Sequence, residues 1–126
     1  MGTGCIRFQA DISTGISEVP TISVDVLRER IRIDSTTFVL DVRTPEEYVG
    51  PAGHIENARL IPLQELDGRM DELSAVKDQH IYVICQGGVR SATATRMLLD
   101  AGFQASNIAG GMRAWEDLMN KQVEGN

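Results

Sequence analysis

Apolar positions along the chain alternate between two patterns. In TISVDVLRERI, Val24, Leu27 and Ile31 recur at steps of three and four behind Ser23. This predicts a short helix capped by that serine, with a short strand before it. TTFVLDV, Thr36 to Val42, is instead a β-branched and aromatic run too short for a helix. It predicts a strand buried on both faces, with Asp41 and Arg43 at its carboxyl end. TPEEYVG has the form of a helix start, with Thr44 as cap, Pro45 in the first turn and two acids facing the positive dipole end, until Gly50 and Pro51 stop it. Ala58 to Ile61 predicts another strand, and Gln64 to Leu73 a helix through Leu66, Met70 and Leu73. Ile81 to Ile84 repeats the buried-strand pattern, and Ala94, Leu98 and Ala101, with Met97 beside them, predict a helix ended by Gly102. SNIAGG predicts a short last strand and MRAWEDLMN a last helix.

Short apolar strands alternating with helices imply crossover units, hence an α/β fold with a mostly parallel sheet and helices on both faces. Ligands in such folds bind beyond the carboxyl ends of the strands. Cys85 stands at such an end. Residues 1–19 show no sustained period and read as a flexible arm or an expression remnant; residues 20–120 form the domain and 121–126 a tail.

Composition narrows the function. With 126 residues, 42% hydrophobic and 24% charged, the chain has the size and balance of one globular domain. A formal net charge of −6 removes the basic footprint that nucleic acid or an anionic membrane surface would require. No apolar stretch reaches the roughly 18 residues of a bilayer span, and MGTGCIRFQA lacks the order of a signal peptide. The expected compartment is the cytoplasm, with the periplasm left open if a leader was removed. Cys5 and Cys85 read as separate thiols, not a bridge. With His54 and His80 they lack the close paired spacings of zinc ligands, so no metal is expected.

The chemistry concentrates in CQGGVRS. A lone cysteine after an apolar strand is ordinarily a small buried hydrophobe. Here it is followed by two glycines, Arg90, Ser91 and a helix N-terminus, all of which favour a thiolate. Gly87 and Gly88 allow successive N–H groups to turn inward as an anion nest around the sulfur. The thiol is thereby a poised nucleophile toward an electrophilic sulfur.

VLDVRTPEEY, GHIENARLIPL, IYVICQGGVRS, AGF and IAGGMRAW occur in an order and spacing that resembles the rhodanese-like sulfurtransferase domains, across roughly Pro20 to Met119. The resemblance implies a five-stranded parallel sheet and an active loop of Cys85, Gln86, Gly87, Gly88, Val89 and Arg90, with Ser91 next to it. It implies a persulfide on Cys85, an anionic donor such as thiosulfate bound with help from Arg90, and no cofactor. Thiols, cyanide or protein thiols would accept the sulfur. Asp41 and Arg43 match the family's strand-end pair and are expected to support the loop; His54, in the GHI block, is expected to be a hydrogen-bonded structural residue rather than a base. Trp115 is expected in the core. Glu56 and Asn57 stand where the family often has Pro and Gly, and Gln86 where a basic residue is frequent. Related cysteine phosphatases place five residues between Cys and Arg, whereas here four separate Cys85 from Arg90, a ring better suited to one sulfur than to a phosphate. The alternative reading is a sulfur-carrier or docking module of a larger system.

Overall fold

The computed structural model describes residues 19–124; the expected arm and Cys5 fall outside that range. Five strands form one sheet: β1 (Thr21–Ile22), β2 (Phe38–Asp41), β3 (Arg59–Leu60), β4 (His80–Ile84) and β5 (Gln104–Ile108). Their spatial order is β1-β5-β4-β2-β3, and every neighbouring pair is parallel. Five α-helices connect or follow them: α1 (Val24–Ile33), α2 (Pro45–Tyr48), α3 (Leu63–Leu66), α4 (Val89–Asp100) and α5 (Gly111–Glu124). Among the described residues no helix is long and apolar enough to cross a membrane.

The strands are apolar on both sides because both sides are covered. Leu40, Val83 and Ala105 face a core completed by Leu66, Leu73 and Leu98. Their chain neighbours Val39, Tyr82 and Ile84 face the other, completed by Leu27, Ile108 and Met112, with Trp115 packed against it. Period-two alternation thus serves two hydrophobic layers at once.

Local signals set the ends as expected. Ser23 Oγ accepts from Val26 N at 3.2 Å and caps α1. Thr44 and Glu47 form a reciprocal capping box on α2. At the turn before β3, Asn57 takes φ +71°, the left-handed conformation that a glycine would hold most freely and that asparagine tolerates better than most residues.

Several elements differ from the sequence pattern. The helix expected through Gln64 to Leu73 ends at Leu66, and Asp67–Val76 is a 3₁₀ segment broken at Arg69. Asp67 and Gly68 are weak helix formers, and Leu66 and Leu73 still reach the core from the tighter turns. Ala101 caps α4 instead of packing within it. β5 starts at Gln104, earlier than SNIAGG suggests, because its pairing with β4 begins at His80 opposite Gln104. α5 runs on to Glu124 through residues expected to be tail.

Candidate active site

In-register parallel pairing places Asp41 beside Ile84 and Val83 beside Asn107, so the ends of the three central strands open at one edge of the sheet. Cys85 follows β4 there, only 1% exposed. The chain then turns through Gly88, at φ +107°, into α4. Gly88 N donates to Cys85 Sγ at 3.1 Å and Ser91 N at 3.3 Å, while Ser91 Oγ lies 3.2 Å away. Burial works against ionisation of the thiol. The Ser91 hydroxyl and the Ser91, Gly88 and Gly87 amides outweigh it and bring the Cys85 pKa below its ordinary value.

The loop is held from three sides. Met112 N donates to the Cys85 carbonyl at 2.8 Å and Arg113 N to the Gln86 carbonyl at 3.1 Å, which ties the first turn of α5 to the loop. This contact requires Gly111. A Cβ there would lie 2.4 Å from the Cys85 carbonyl oxygen, and φ is +57°. On the second side, Arg43 and Asp41 are both fully buried and paired through Arg43 Nη2 and Asp41 Oδ2 at 2.8 Å. Arg43 also donates to the Gly53 carbonyl at 2.8 Å, the Glu47 carbonyl at 3.2 Å and Gln86 Oε1 at 3.3 Å. One buried guanidinium thereby joins the end of β2, helix α2 and the loop. On the third side, Ser91 Oγ lies 2.5 Å from Asn107 Oδ1 of β5.

Arg90 is not a free cation. Its two terminal nitrogens each meet a carboxylate oxygen of Glu47 at 2.8 Å. The hydrogen bond with Arg90, opposed by burial and aided by the Thr44 amide, lowers Glu47 to about 2. The capping-box acid of α2 is therefore also the partner of the loop arginine. Thr44-x-x-Glu47 was visible as a cap, but its contact to Arg90 crosses 43 positions and arises only from folding. Asn107 is likewise a site neighbour that the sequence pattern presents only as a strand residue.

The remaining expected residues fall at varied distances from the sulfur. Gln86 turns its side chain toward Arg43. Val89 presents its side chain to solvent at 78% exposure. Gly87, unlike Gly88, is not left-handed; the nearest atom to a Cβ placed there is Arg113 Nη1, at 3.8 Å. His54 stacks on the Tyr48 ring with centroids 3.6 Å apart, and its Nδ1 lies 2.8 Å from the Tyr48 carbonyl, which assigns it a bond away from the loop. His80, the first residue of β4, is not a plain surface residue. It is half-buried with Nε2 2.8 Å from Ser106 Oγ, and burial, with Arg30 nearby, lowers its pKa.

Beside the loop lies an open groove of about 400 Å³ lined by Arg43, Glu46, Glu47, Pro51 and Gln86. A cavity of similar size, about 410 Å³, lies at the opposite end of the strands near Arg30, Thr37 and His80, away from the thiol.

Residues 23–118 match the sequence model of the Rhodanese-like domain. The chain belongs to the rhodanese-like family. It is 36% identical over 104 residues to the Bacillus subtilis (strain 168) protein named "Putative sulfur carrier protein YrkF", covering 82% of this chain and 54% of that one. It is 35% identical over 99 residues to "Putative sulfurtransferase YtwF" of the same organism, covering 79% and 92%. This rhodanese-like domain spans about half the length of the first relative and nearly all of the second. Among solved structures, a rhodanese-like domain protein from Staphylococcus aureus superposes with a TM-score of 0.70 at 35% identity, over 76% of this chain and 90% of that one. The fold is thus the rhodanese-like α/β sheet, and the relatives support a rhodanese-type role in sulfur transfer.

Proposed function

We propose that the chain is a sulfurtransferase that moves a sulfane sulfur from a small anionic donor, such as thiosulfate, to a thiophilic acceptor through a persulfide on Cys85. The observation that carries this reading is the convergence on Cys85 Sγ of two amide donors, Gly88 N and Ser91 N, with the Ser91 hydroxyl 3.2 Å away. Donors aimed at one buried sulfur stabilise a thiolate, and the loop amides can equally hold a second sulfur bonded to it. With Cys85 only 1% exposed, the transferable sulfur has to arrive as the tip of its donor.

In the first step the Cys85 thiolate attacks the outer sulfur of thiosulfate. The new S–S bond forms as the old one breaks, and sulfite leaves with the bonding pair. In the second step an acceptor thiolate or cyanide attacks the outer sulfur of the persulfide, giving a new persulfide or thiocyanate and returning the Cys85 thiolate. Neither step changes net charge or needs a cofactor. No general base is required once the thiolate is formed, which agrees with His54 pointing toward Tyr48. A reducing compartment such as the cytoplasm suits a mechanism that starts from a free thiol.

A protein thiol is the second acceptor class, favoured by one observation. Val89, inside the loop, and Val49, at the end of α2, are each 78% exposed, and such exposed apolar side chains suit a carrier that docks on a partner. Reduced protein mixed with thiosulfate in the absence of acceptor is expected to release a stoichiometric burst of sulfite. Turnover to thiocyanate should then follow addition of cyanide. Absence of both the burst and the turnover would contradict thiosulfate as donor.

A further inference from the structure

Three arginines surround the Cys85 loop, and two are committed. Arg43 is fully buried against Asp41. Arg90 is held by both oxygens of Glu47, whose carboxylate is fixed in turn by the Thr44 amide and hydroxyl. With Glu47 lowered to about 2, that carboxylate stays charged through the neutral range, so the positive charge of Arg90 is offset where a donor would need it. Arg113 differs: it is exposed and has no ion-pair partner among the described residues. Its backbone is anchored to the loop through Arg113 N and the Gln86 carbonyl, 3.1 Å apart. Its guanidinium lies over Gly87, with Nη1 3.8 Å from where a Cβ would stand. A side chain at that position would occupy the space between the guanidinium and the loop.

We propose that Arg113, rather than Arg90, receives the anionic head of the sulfur donor, and so sets the site's preference for donors bearing a sulfonate or carboxylate behind the transferable sulfur. This rests on the sulfur-transfer reading for its substrate, but not for its test. A guanidinium at the loop mouth pairs with two oxygens of such a head while the sulfur tip enters the ring of amides. Arg90 then acts through Glu47 to keep α2 and the loop together.

The test compares Cys85 alkylation by iodoacetate, an anion, and iodoacetamide, its neutral counterpart of nearly the same shape. The ratio of the two rates reports attraction for an anion and cancels changes in thiol reactivity. In wild type the ratio should fall with added salt. In Arg113→Gln it should be about fivefold lower and should no longer fall with added salt, as expected for loss of one exposed charge-assisted contact, and Arg113→Lys should restore most of it. A ratio unchanged in Arg113→Gln would overturn the proposal, as would a ratio that falls in Arg90→Gln but not in Arg113→Gln. Because alkylation needs only the thiol, these outcomes stand whether or not the protein transfers sulfur. If it does, Arg113→Gln should raise KM for thiosulfate about fivefold with kcat little changed.

Discussion

Ser91→Ala tests how the thiolate is made. Ser91 Oγ lies 3.2 Å from Cys85 Sγ and 2.5 Å from Asn107 Oδ1, yet a hydroxyl has a single proton to give. In the thiol state Cys85 donates to Ser91 and Ser91 to the Asn107 carbonyl oxygen. A thiolate no longer donates, so in that state the Ser91 proton can turn to sulfur. Alanine leaves only the backbone amides of Ser91, Gly88 and Gly87 to favour the thiolate. A hydrogen bond to a charged acceptor is worth about 1.5–3 kcal/mol, and about 1.4 kcal/mol is a tenfold change in population. On the acidic side of the transition, Ser91→Ala should therefore lower the thiolate fraction about ten- to hundredfold. The assay is the rate of iodoacetamide alkylation against pH. The variant profile should lie at higher pH and meet the wild-type profile in the alkaline limit. Superimposable profiles would refute a role for the hydroxyl and leave the amides as the whole cause of the lowered pKa.

Other substitutions probe what holds the loop. Arg43→Met strands Asp41 as a buried unpaired charge and should cost about 3–5 kcal/mol in urea unfolding. The double variant with Asp41→Leu should recover part of that, and a single-variant loss under about 1 kcal/mol would contradict a buried pair. Gly111→Ala forces a Cβ to 2.4 Å from the Cys85 carbonyl oxygen at a positive φ, so thermal stability and alkylation rate should both fall; an unchanged melt would contradict the close approach. Glu47→Gln keeps a cap on α2 but removes the charge facing Arg90. A folded-state pKa of about 2, against an ordinary 4.5, makes the ion pair stabilising above the ordinary value and lost as pH falls through about 2. Since Glu47 is 31% and Arg90 36% exposed, solvent limits the gain to about 1 kcal/mol. The stability gap between wild type and Glu47→Gln should be present at neutral pH and close in acid, whereas a pH-independent gap would place the effect in packing alone.

Much of this arrangement is legible in the chain because it is encoded locally. Ser23, Thr44-Pro45 and the Cys85 loop are read from adjacent residues, and Phe38 to Leu40 and Ile81 to Ile84 are apolar at every position because both sheet faces are covered. The parts that were not legible are non-local. Glu47 has a sufficient local explanation as a capping acid, so nothing in its neighbourhood points to Arg90. Asn107 and Ser91 meet only because β5 lies against β4 and α4 follows it. Arg113 reaches Gly87 only because Gly111 lets α5 start against the Cys85 carbonyl. The apolar spacing of Leu66 and Leu73 was real, but two residues on one buried face do not distinguish an α-helix from a kinked 3₁₀ path once Gly68 weakens the former.

The most direct measurement is the intact mass of the reduced chain after incubation with thiosulfate, beside a Cys85→Ser variant, before and after cyanide. The account predicts a gain of one sulfur atom on wild type alone, discharged by cyanide with formation of thiocyanate. An equal gain on Cys85→Ser, or no gain from thiosulfate or any persulfide or polysulfide donor, would contradict a transferable sulfur on Cys85.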